Sequence, residues 1–405
     1  MSVSSFIAQK LALSKNKTFT SLIIRLAWIG VALSVSVMII AVSVVIGYKK
    51  QISEKVIGFN GHLEIHSTGS TGNFDYTLFT DSTPLVNDLK KIKDLGEIQP
   101  IIAKPGILKS DEEVEGIIFK GVSANYNFNF FNKNLIKGKC PNTSDSTRKR
   151  EIMVSQLLAK KLKLDTGQKV KIFFINEPVR VIPCKITGIY ETGLEESDQV
   201  MVIGSLKEMQ RIFANKNQKI THYEITTSNT KNLAQFTDLV HKKIPLELAA
   251  QNMIQLNPQI FDWLGYLDQN ISIILTLMIV VACINMMTAL LVLIIERTNM
   301  IGVLKAVGST NKLIRKIFLN HAFYILLIGL ILGNILGLSI SLIQQHYHVI
   351  KLPQETYYLS YVPIHINWFF VLLINIGTVS ICMISLLIPS RMISNIHPVK
   401  AIKFN

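Results

Sequence analysis

Few groups in this chain have the types and spacing that chemistry needs. His346 and His348 are the only histidines two residues apart among nine. An HxH pair offers two imidazoles to a metal, although on an exposed loop it is more simply solvated. Asp111, Glu112, Glu113 and Glu115 carry the oxygen donors calcium takes, and also read as a solvated hairpin tip. Cys140 and Cys184 could pair in an oxidising compartment, but their spacing fits no metal motif, and two free thiols is the default expectation. Cys283 and Cys382 lie in strongly apolar surroundings and read as small apolar residues. The chain has no phosphate-cradling GxxxxGK[ST], no HExxH, no CxxC and no GxSxG. No catalytic residue and no metal ligand is therefore assigned, and an enzyme is not expected.

The elements around these groups explain their scarcity. Leu26–Gly47, Ile271–Ile295, Ile317–Leu342 and Trp368–Pro389 are apolar and free of Asp, Glu, Lys and Arg. The shortest would be about 33 Å long as a helix, enough for a hydrocarbon core of about 30 Å. The expected fold is an α-helical membrane protein with four transmembrane helices in a one-plus-three layout. A large extracytoplasmic α+β domain is inserted between helices one and two. The expected segments are a cytoplasmic start (1–25), span one (26–47), the inserted domain with helical stalks (48–270), span two (271–295) and a cytoplasmic connector (296–316). Span three (317–342), an outer loop (343–367), span four (368–389) and a cytoplasmic tail (390–405) complete the chain.

Basic residues set this orientation. Lys10, Lys15, Lys17 and Arg25 precede span one; Arg297, Lys305, Lys312, Arg315 and Lys316 lie between spans two and three; Arg391, Lys400 and Lys403 follow span four. Loops rich in Lys and Arg stay in the cytoplasm, so both termini are expected inside. Lys49, Lys50 and Lys55 run against this trend and are outnumbered. The same residues account for most of the net charge of +15, which argues against nucleic-acid binding. A cleaved signal peptide is not expected, because the first apolar run exceeds a signal core of about 7–15 residues.

Within the insert, 61–66, 114–122, 168–175, 179–190 and 222–227 read as strands rich in β-branched residues. Segments 84–92, 155–162, 206–213 and 233–244 read as amphipathic helices, and 67–83 as a loop. In the spans, His321 is the one readily ionisable residue and is expected to reach the interface, which disfavours an ion-coupled transporter. Asn285, Asn334 and Asn375 read as interhelical hydrogen-bonding residues. Gly329, Gly333 and Gly337 make a small-residue ridge for close helix packing, within one chain or between two.

The connector reads ERTNMIGVLKAVGSTNKLIRK (296–316). Ile301, Leu304 and Val307 share a helical stripe, and Gly308-Ser-Thr can end one short helix and cap the next. Such a helix could lie on lipid or dock into a partner's groove. The segment resembles the cytoplasmic coupling segment of FtsX/MacB-like ABC transporter permeases. FIAQKLALSKNK (6–17), IGVALSVSVMIIAVSVVIGYKKQISEKVIGFNGHLEI (29–65), CINMMTALLVLIIER (283–297) and LPQETYYLSYVPIHIN (352–367) resemble the lipoprotein-releasing LolC/LolE branch.

That resemblance implies a permease subunit of a mechanotransmission transporter in the inner membrane of a Gram-negative-type bacterium. It would extract lipoproteins from the outer leaflet for transfer to the outer membrane. It implies no cofactor in this chain, with ATP and Mg on a separate ABC ATPase dimer. The other implied partners are a second permease chain, the same or homologous, the lipoprotein and membrane lipids. Glu296, Arg297, Ile301, Gly302, Leu304, Lys305 and Gly308 match the coupling motif and would contact the ATPase. Met38, Val42, Ile46, Ile274 and Met278 are candidate walls of a lipoprotein cavity, or else helix packing. One departure is the Phe174–Arg180 connection, too short for the hook by which LolC members engage a periplasmic carrier, so carrier recruitment stays open. Alternatives are a related exporter of a toxin, peptide or antibiotic, or a scaffold controlling a cell-wall hydrolase.

Overall fold

The computed structural model describes residues 19–70, 77–110, 113–144, 150–175, 179–213, 218–228, 232–353 and 357–395. Outside them lie most of the start, part of the 67–83 loop, Asp111 and Glu112, 176–178 of the short connection, and the end of the tail. The described chain divides into two compact units, one holding the membrane-length helices and the other the insert with residues 352–360.

Among the described residues, four helices are long and apolar enough to cross a bilayer. The first runs Phe19–Asn60, the second Pro258–Glu296, the third Asn311–Tyr347 and the fourth Trp368–Ser385. The first has 42 residues and, at about 1.5 Å per residue, is about twice as long as a hydrocarbon core is thick. Their shared core includes Val31, Val35, Met38, Met286, Leu290, Phe318, Leu326 and Cys382. The glycine ridge of the third helix packs on the first. A Cβ at Gly329 would sit 2.8 Å from Val31 Cβ, and one at Gly333 would sit 2.8 Å from the Ala32 carbonyl oxygen. Only glycine admits so close an approach. Asn334 and Asn375 exchange amide hydrogen bonds of 2.7 and 2.9 Å between the third and fourth helices. His321, expected to reach the interface, is instead buried at 1% exposure.

Among the described residues the insert has twelve strands: β1 Leu63–Ser67, β2 Phe79–Thr80, β3 Leu95–Lys109, β4 Val114–Val122, β5 Leu135–Gly138, β6 Glu151–Ser155, β7 Lys169–Phe174, β8 Arg180–Tyr190, β9 Met201–Ser205, β10 Lys219–Ile220, β11 His222–Thr227 and β12 Leu248–Asn252. Ten form one sheet in the order β12-β1-β11-β3-β4-β9-β6-β8-β5, and β7 bridges β3 and β8. That bridge closes β3, β4, β9, β6, β8 and β7 into a ring of paired strands. Inside it pack Phe119, Phe174, Ile152, Val154, Ile172, Ile186 and Val202. Short helices cap the sheet; Ser155 Oγ accepts from Leu158 N to start one of them. Gly61, at φ +79°, makes the sharp turn from the first long helix into β1.

Candidate functional site

The connector forms a helix over Thr298–Ala306. It ends on Gly308 at φ +96°, with Gly308 N–H bonding Lys305 O and Ser309 N–H bonding Leu304 O. Thr310 then caps the third long helix by accepting from Leu313 N. The helix is held by one face. Ile301 is fully buried, Gly302 is buried, and Met300 and Leu304 pack against the span core. Lys305 Nζ donates to Ile393 O at 2.8 Å, tying the connector to the turn after the fourth span.

The face left open is Val303, 52% exposed, and Val307, 81% exposed, with Glu296 and Gly308 exposed at the two ends. The residues that match the coupling motif differ in how far they face outward. Ile301 and Gly302 are turned inward, whereas Val307, on the same expected stripe as Ile301, is left out of the span core. Leu304, Lys305 and Arg297 are half-buried.

The expected cavity walls differ in exposure. Met38 and Val42 are 1% and 7% exposed in the span core, and Ile46 and Met278 pack against it; Ile274 is exposed. Met38 and Val42 therefore pack helix on helix. An open apolar groove of about 590 Å³ lies elsewhere, between the third and fourth helices, over Ile331, Ile335, Ile376 and the Asn334–Asn375 pair. The two rings of the HxH pair make different contacts: His348 stacks on the Tyr361 ring at 3.7 Å, while His346 meets Tyr347. All four cysteines are free thiols. Burial pushes the Cys184 thiol up to about 12, so it is inert at neutral pH.

A polar cluster that hydropathy gives no reason to expect lies inside the insert. β1 and β11 pair antiparallel, with Glu64 opposite Glu224 and His66 opposite His222. All four side chains are buried, and Lys120 from β4, 2% exposed, places its Nζ 2.6 Å from Glu224 Oε1. Lys120 also donates to the Phe59 carbonyl and lies over the Phe59 and Tyr126 rings. Burial favours neutral Lys120, but the Glu224 carboxylate outweighs it and holds the ammonium above its ordinary pKa. Burial likewise raises Glu224, and Lys120 and His222 outweigh it, so the carboxyl stays below its usual range. His66 is pushed down by burial and by His222 nearby.

A cavity of about 460 Å³ opens onto this cluster, lined also by Asn60, Ser70 and Gln251. The signal was present in the sequence as period-two spacing, His62-x-Glu64-x-His66 and His222-x-Glu224, which puts each set on one strand face. Nothing local reveals that the two faces meet.

Four membrane-length helices with an α+β domain inserted after the first define a multi-pass membrane protein of the one-plus-three class. Residues 26–243 match the MacB-like periplasmic core domain, and residues 272–398 match the FtsX-like permease C-terminal domain. The chain belongs to this MacB/FtsX-like permease family. It is 22% identical to the lipoprotein-releasing system transmembrane protein LolC of Neisseria meningitidis serogroup B, over 96% of each chain. It is 20% identical to the corresponding LolE of Haemophilus influenzae, over 99% of each. The crystal structure of the periplasmic region of MacB from Actinobacillus actinomycetemcomitans aligns at 13% identity and a TM-score of 0.35, covering 51% of this chain and 95% of that one.

Proposed function

We propose that this chain is the permease subunit of an ATP-driven transporter that lifts lipoproteins from the outer leaflet of the inner membrane for delivery to the outer membrane. The observation that carries the reading is the connector: a short helix clamped to the spans by Ile301, Gly302 and Lys305, with apolar Val303 and Val307 facing outward. A dimeric ATPase, holding ATP and Mg itself, docks there from the cytoplasm. Its closure moves the connector, and with it the second and third long helices that the connector joins. A second permease chain, the same or homologous, completes the machine, and the inserted domain works in the periplasm. Full-length similarity to two lipoprotein-releasing proteins supports the cargo class. Extraction needs a driven device, since each buried methylene holds the lipid anchor by about 0.8 kcal/mol. The connection between Phe174 and Arg180, whose flanking residues pair directly, is shorter than a carrier hook, which favours transfer by another surface or a homodimeric permease without a dedicated recruiting subunit.

Depletion of the protein is expected to leave mature lipoproteins in the inner membrane on fractionation. Normal outer-membrane delivery would overturn the cargo and leave the permease reading standing. Val307→Asp is expected to abolish co-purification of the ATPase with helix content unchanged; retained ATPase would remove the docking surface.

A further inference from the structure

We propose that Glu64, His222 and Glu224 bind a divalent transition-metal ion of the zinc class inside the inserted domain. The three side chains each offer one donor atom, and these atoms lie within 4.8 Å of one another, all in buried residues. His222 Nε2 is 3.6 Å from Glu224 Oε1. Ligands about 2.0–2.1 Å from a tetrahedral ion stand roughly 3.3–3.5 Å apart, close to the His222–Glu224 separation, and the set as a whole closes from within 4.8 Å by side-chain rotation. One imidazole with two carboxylates is a donor set that zinc accepts, leaving a fourth position toward the cavity.

The surroundings of His222 point the same way. Thr221 Oγ1 donates to Ile101 O and accepts from Ala103 N. Its remaining contact is with His222 Nδ1 at 3.0 Å, which makes Nδ1 the protonated nitrogen. Nε2 is then the nitrogen on the Glu224 side, 3.6 Å from Oε1. A ligand histidine oriented through its other nitrogen is the usual outer-shell device at metal sites. The donors sit on two paired strands, Glu64 directly opposite Glu224, and so are held by backbone hydrogen bonds. Lys120 holds Glu224 at 2.6 Å, so its ammonium competes with a cation for that carboxylate.

The test uses the full chain in detergent, tag removed and stripped with chelator, titrated with Co²⁺ and then Zn²⁺. One equivalent of Co²⁺ is expected to give visible absorption bands that Zn²⁺ bleaches. His222→Gln and Glu64→Gln are each expected to weaken binding at least about tenfold, and Lys120→Met to tighten it. His222→Gln keeps the Lys120–Glu224 pair, so a folded variant is expected; a far-UV spectrum and thermal transition matching the parent check it. The proposal is overturned if no stoichiometric band appears, if His222→Gln binds as the parent does, or if binding is lost on changing His346 and His348 instead.

Discussion

The span bundle and the inserted domain bury their cores by opposite means. Between the helices, closeness does the work: Gly329, Gly333 and Gly337 bring backbones together, and the neutral Asn334–Asn375 pair links the third helix to the fourth. In the insert, a full lysine and a glutamate are buried against each other within a sheet. The difference follows from what each unit gives up on unfolding. A helix separated in lipid stays in an apolar solvent, so only packing and hydrogen bonds distinguish the folded bundle. A strand released into water regains solvation for its charges, so the insert keeps them only because the partners and geometry are right.

That contrast can be broken at its strongest point first. Glu224→Ala leaves the Lys120 ammonium buried without its carboxylate and is expected to cost about 3–5 kcal/mol in denaturant unfolding of the insert. A loss under about 1 kcal/mol would mean that the pair is not desolvated. Gly333→Leu comes next, since even its Cβ would lie 2.8 Å from the Ala32 carbonyl oxygen. Overpacking of about 1–3 kcal/mol is expected, read as a lower melting temperature in detergent. An unchanged melting temperature would mean the first and third helices do not pack through this ridge.

The gentlest test is pH. Burial holds His62 and His66 below the usual histidine value of 6.5. Both are neutral in the folded domain, while the unfolded chain binds protons at the ordinary value. Their contribution is therefore complete above pH 6.5 and is lost as the pH falls through the lower folded values. Hydrogen-exchange protection of β1 and β11 is expected to drop over that range relative to the long helices. Protection that stays level down to pH 5 would show that these rings accept protons without loss.

Much of the secondary structure was legible. Val114–Val122, His222–Thr227 and Leu206–Phe213 have the limits that their local patterns give. β3 was not, because Gly96, Pro100, Pro105 and Gly106 read as breakers. It forms because three neighbours, β11, β4 and β7, pair along its length, and no local signal contains them. β6, β9 and β12, five residues each, were also missed. The connector's boundaries were readable from Gly308 and Thr310, but not its orientation: Ile301, Leu304 and Val307 look alike in sequence, yet the span core takes Ile301 and leaves Val307 out.

The sequence by itself determined where the chain leaves water, because hydropathy over about 20 residues is a sum that neighbours along the chain complete. It also determined the one-plus-three order and the helix ends that glycine and threonine impose. Only tertiary structure decided which connector face is free and that Glu64, His222, Glu224 and Lys120 meet. Those outcomes depend on strand register and helix rotation, and a shift of one residue would reverse them.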